Sequence, residues 1–131
     1  MYRHPGKRPV YLNLFAFRFP LNAILSILHR ITGVGLLLFL LTGLAWLNLW
    51  VLFPAQRADT LQALTHPLGE LIWFFAAVSL WFHWLAGVRH LMMEHDAFQW
   101  QSQPQKGRQS GLLLLALFAV GAVVIFAGVW L

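Results

Sequence analysis

Residues 31–56, ITGVGLLLFLLTGLAWLNLWVLFPAQ, contain no Asp, Glu, Lys, Arg or His. As a helix this run is longer than the roughly 30 Å hydrocarbon core of a bilayer. It therefore reads as a membrane span. Pro20 suits a helix start and Pro54 a stop, which predicts a first helix over residues 22–53. Trp46 and Trp50 lie toward its far end, where an interfacial aromatic belt is expected.

Two further spans follow. Residues 71–88 hold one ionisable side chain, His83, and predict a long second helix over residues 66–96. No charge follows Arg108, and residues 111–131 predict a third helix of about 30 Å. The connections 54–67, with Arg57, Asp59 and His66, and 97–110, rich in Gln with Pro104, Lys106 and Gly107, read as loops. Residues 1–21 form a basic arm carrying Arg3, Lys7, Arg8 and Arg18, broken by Pro5, Pro9 and Pro20. Its Tyr11, Phe15, Phe17 and Phe19 suit the headgroup layer. Pro9, Asn13, Arg18 and Pro20 interrupt any signal-peptide core, so no cleavage is expected.

Composition agrees with this reading. The 131 residues are 60% hydrophobic and 10% charged, against about 25% charged in an ordinary soluble domain. The fold class expected is an all-α integral membrane protein of three helices, up-down-up, in a single domain 1–131. The net charge is +5, but the basic residues flank the apolar segments instead of forming a stripe, which argues against nucleic acid. Five Lys or Arg precede residue 31, one lies at Arg57 and three run from Arg89 to Arg108. The positive-inside rule then predicts a cytoplasmic N-terminus and an external C-terminus. With no cysteine, the chain holds no disulfide and no thiolate-bound cluster of its own.

Chemistry interrupts hydrophobicity at His83-Trp84-Leu85-Ala86-Gly87-Val88-Arg89-His90. Histidines seven apart share a helix face, and Gly87 between them removes a side chain from it. At the front of helix 1, Ser26, Arg30 and Gly33 also share a face, with His29 beside them. An ionisable residue within a span is by default a functional-site hypothesis. Haem fits such a set, being flat and largely apolar, ligated by neutral imidazole and carrying propionates that seek cations. Counted back from Glu94, His83 lies about 16 Å deep and His90 about 6 Å deep. His83 is thus the candidate axial ligand, with His90, His29 and Arg30 nearer the propionates. His83 and His90 cannot both ligate one iron, since axial ligands approach from opposite porphyrin faces. A second imidazole must come from another helix. The depth of His29 suits a propionate better, and a partner chain is the preferred donor.

Plainer roles stand beside these. A lone histidine in a span often bonds a neighbouring helix, and Ser26 commonly bonds its own backbone. His4, His66 and His95 read as solvated. Glu94-His95-Asp96 points around a helix and not at one ion, and Met92-Met93 reads as packing.

Arg8-Pro9, the run Ser26-Ile27-Leu28-His29-Arg30-Ile31-Thr32-Gly33, and His83 through the Gly-Val-Arg-His ending resemble the cytochrome b subunit of succinate dehydrogenase, the larger of its two membrane anchors. The resemblance covers essentially the whole chain. It implies a multi-pass subunit of the bacterial inner membrane, in a respiratory complex with a flavoprotein, an iron-sulfur protein and a second membrane anchor. Electrons from succinate there reach ubiquinone. It further implies that His83 ligates haem b, with the other axial histidine from the second anchor, and that His29, Arg30 and His90 surround the propionates. Ser26 and Arg30 match positions lining the ubiquinone pocket. The three-helix, N-inside topology of the family agrees with the charge count. The Glu94-His95-Asp96 ending carries more polar groups than the resemblance requires.

The leading expectation is an electron-transfer anchor with haem b and one edge of a quinone site. The chain alone is expected to catalyse nothing, lacking a flavin fingerprint, cluster cysteines and a soluble acid-base cleft. A haem-free structural or quinone-binding anchor is one alternative. A small transporter using the histidines as a relay is another.

Overall fold

The computed structural model describes residues 19–131. The basic arm expected over residues 1–21 lies outside the described residues up to position 18. Four helices follow: α1 (Leu21–Leu52), α2 (Arg57–Thr65), α3 (Pro67–Glu94) and α4 (Pro104–Trp130), with single 3-10 turns at Pro54–Gln56 and Ala97–Gln99. Helices α1, α3 and α4 are each long and apolar enough to cross a membrane. At about 1.5 Å per residue all three exceed the hydrocarbon thickness, so their ends reach the headgroup layers. The protein is an all-α integral membrane protein, with three spans among the described residues.

Prolines set the boundaries. Pro67 and Pro104 occupy the first turns of α3 and α4, where a missing N–H costs nothing. The His66 ring accepts from the Leu68 N–H at 3.3 Å and so caps α3.

Two stretches expected as loops are helical. Residues 57–65 form α2, in which the Thr60 and Thr65 hydroxyls donate back to the carbonyls of Gln56 and Leu61. The third span begins at Pro104 and not at Gly111, because the polar stretch Pro104–Ser110 adds about two turns that project beyond the apolar run. Polarity marks where α4 leaves the hydrocarbon and not where its hydrogen bonding ends.

Helix α3 is central. It packs against α1 and α4, which touch each other less. The buried core is small and sits at one end: Leu25, Phe82, Ala86 and Leu114, flanked by Leu21, Leu85, Leu115 and Phe118. At the other end Phe74 of α3 meets Phe126 and Trp130 of α4, with ring centroids 6.1 and 5.0 Å away. Between the two, the Trp81 indole N–H donates to the Leu117 carbonyl at 3.1 Å. A Cβ at Gly121 would overlap that indole, so only glycine admits the ring at this crossing. Leu25 is the one buried residue of α1, whose remaining apolar surface is available to lipid or to other chains.

Candidate functional site

The core end of the bundle also gathers the polar groups. His83, half-buried on α3, faces the third and fourth turns of α1: its Nδ1 lies 3.1 Å from the His29 carbonyl oxygen and 3.3 Å from the Thr32 Oγ1. The His29 ring lies against it, centroids 4.2 Å apart, and the exposed His90 ring is 6.5 Å from that of His29. The structure thus brings together the three histidines singled out in the sequence. Gly87 borders the same cluster, since a Cβ there would come 3.5 Å from His29 Nε2.

Ser26 and Arg30, one turn apart on α1, are exposed and make no hydrogen bond or ion pair to another described residue. They and the exposed His90 lie at the same end of the bundle as the half-buried His83. Among the described residues no three of His, Cys, Asp and Glu converge as a cage for a bare metal ion.

Arg89 plays a part that sequence reasoning missed. Its buried guanidinium ties all three spans: Nε donates to Ser110 Oγ at 3.0 Å, and Nη2 donates to Asn22 Oδ1 at 2.7 Å and to the Gly107 carbonyl at 3.0 Å. Ser110 Oγ in turn donates to the Gly107 carbonyl at 2.8 Å. Every acceptor is neutral, so the charge is satisfied by dipoles and not by a carboxylate. The one sequence signal was an arginine beside the apolar face of a span, a position that demands partners.

Asp96 gives the polar end of α3 a use. It adopts φ 47°, which Asp tolerates, and is followed by Phe98 and Gln99 at φ 59° and 61°. Its Oδ1 accepts from the backbone N–H groups of Gln101 and Ser102 at 2.9 and 3.0 Å. The Ser102 N–H leads in holding this carboxyl below the usual carboxylate range, with the Ser102 side chain, the Gln101 N–H and the Lys106 charge acting in the same direction.

Fold and site define a class: an integral membrane helical protein with its polar chemistry gathered at one end of three spans. Residues 5–126 match the succinate dehydrogenase/fumarate reductase transmembrane subunit family. The chain belongs to that family. It is 35% identical over 128 residues to the succinate dehydrogenase cytochrome b556 subunit of Coxiella burnetii, an alignment covering 96% of this chain and 98% of that protein. Against the cytochrome b556 subunit of Paracoccus denitrificans it is 32% identical over 121 residues, covering 92% and 93% of the two chains. The mitochondrial cytochrome b560 subunit of Dictyostelium discoideum is 34% identical over 116 residues, 86% of this chain and 58% of that protein.

Proposed function

We propose that this chain is the haem b-carrying membrane anchor of a succinate dehydrogenase, forming one edge of the site where ubiquinone is reduced. The observation that carries this reading is the half-buried His83 held against α1, with the His29 ring against it and His90 and the exposed Ser26 and Arg30 at the same end of the bundle. The names of the relatives support the same function.

The residues present fit haem. A porphyrin would bring most of the iron's donors itself, so a well-placed imidazole could serve it although the described residues form no cage for a bare ion. His83 would ligate the iron, and His29, His90 and Arg30 would offer donors to the propionates. Bound there, haem supplies a one-electron redox centre. The chain's own task is to place an imidazole at depth, keep cations at the same end of the bundle and exclude water with the Leu25–Phe82–Leu114 core. Ser26 and Arg30 would hydrogen-bond a quinone oxygen and offset the negative charge it gains on reduction.

The remaining half of the site would come from other chains: a second anchor would offer a further histidine to the haem, and the iron-sulfur and flavoprotein subunits would dock on the cytoplasmic side of the bacterial inner membrane. Arg30, Arg89, Lys106 and Arg108 gather at the His83 end and Arg57 at the other, which supports a cytoplasmic N-terminus. A His83→Ala substitution tests ligation in the purified complex. Loss of the b-type reduced-minus-oxidised spectrum is expected, and an unchanged spectrum overturns it. The second reading, a haem-free anchor, is favoured by one observation: a histidine bonded to a neighbouring helix carbonyl is also what helix packing alone uses. The same spectrum decides between them.

A further inference from the structure

Three features of α1 meet the His83 ring. Its Nδ1 lies 3.1 Å from the His29 carbonyl. A carbonyl oxygen only accepts, so the nitrogen facing it carries the proton; the other tautomer would set two lone pairs against each other. The Thr32 hydroxyl fits the same assignment. It lies 2.9 Å from the Leu28 carbonyl and 3.0 Å from the His29 carbonyl, either of which takes its single proton, leaving a lone pair for the Nδ1–H at 3.3 Å. One placement of protons satisfies every group. Gly33 supplies the space: a Cβ there would stand 2.9 Å from His83 Cε1 and 3.5 Å from Nδ1, whereas a Cβ at Gly35 would meet nothing within 4 Å.

We infer that the His29 carbonyl, the Thr32 hydroxyl and Gly33 form a seat that fixes the His83 ring in its Nδ1–H tautomer and reserves Nε2 as the metal donor. Thr32 and Gly33 are positioning residues, acting through His83. The inference rests on the ligation proposed above. Acceptors on the far nitrogen of a ligating imidazole orient the ring and make it more basic, which favours the oxidised metal. The sequence places the seat in one short segment, His29-Arg30-Ile31-Thr32-Gly33, so one stretch of α1 carries both the exposed Arg30 and the seat of the half-buried ring.

The test uses the whole purified complex. Thr32→Val keeps the side-chain shape and removes the hydroxyl. It raises the midpoint potential of the b-type centre and speeds haem loss to a scavenging apoprotein about tenfold. Thr32→Ser returns both toward wild type. Gly33→Ala lowers the haem recovered per complex, and Gly35→Ala does not. In haem-free complex carrying ¹⁵N-histidine, the His83 resonances report a protonated Nδ1. A wild-type potential in Thr32→Val, equal haem in the two alanine variants, or a protonated Nε2 each overturns the seat. His83→Ala separates the two readings: retention of the spectrum sinks ligation itself, while its loss alongside an unaffected Thr32→Val sinks only the seat.

Discussion

Nη2 of Arg89 on α3 lies 2.7 Å from Oδ1 of Asn22 in the first turn of α1. Through the same guanidinium α3 also holds Ser110 and Gly107 of α4, so one side chain joins the three spans beside the histidine cluster. Arg89→Leu removes these bonds and leaves the Asn22 amide oxygen without its donor. A destabilisation of about 2–4 kcal/mol is expected, read as a lower thermal midpoint of the purified complex. Arg89→Lys recovers less than half of it, since an ammonium cannot reproduce the planar fork. Full recovery with lysine would mean that charge alone matters there.

The quinone role proposed for Arg30 can be separated from assembly. Arg30 is exposed and bonds no described residue, so Arg30→Leu leaves the fold intact. Succinate-to-quinone activity is expected to fall about tenfold or more, the loss of one charged hydrogen bond, while succinate-to-artificial-acceptor activity stays. Equal loss of both activities would indicate failed assembly, whereas retained succinate-to-quinone activity would remove Arg30 from the quinone site.

Asp96 predicts an acid-sensitive loop. Its carboxyl is held below the usual range by the Ser102 N–H foremost, so its contribution is complete above the unfolded carboxylate value and disappears as pH falls through the lower folded one. Hydrogen exchange at the Gln101 and Ser102 amides should therefore show protection that declines only in acid. Asp96→Asn should flatten that pH dependence; a variant profile matching wild type would show that the carboxylate does not hold the loop.

The spans were legible because the bilayer leaves few solutions for a charge-free run such as residues 31–56. The face shared by His83 and His90 was legible for the same reason, since an imidazole within an apolar stretch stands out. The helical character of residues 57–65 and 104–110 was not, because polar composition is equally at home in a loop and in a helix end outside the hydrocarbon. Arg89 was hidden differently. Its acceptors, Asn22, Gly107 and Ser110, are common polar or backbone groups that become partners only when three helices converge. Thr32 likewise looks like any threonine bonded to its own helix until α3 brings a ring to it.

Trp81 set into the notch at Gly121 settles a question that polarity leaves unanswered for α4. Beyond Ser110 that helix is apolar on every side, and lipid discriminates poorly among its rotations. A slide of one turn either way would bring Leu117 or Ile125 to the indole, where a branched side chain finds no room. The notch therefore works as a keyway, and it fixes the phase of α4 at the depth where Ser110 must arrive beneath Arg89.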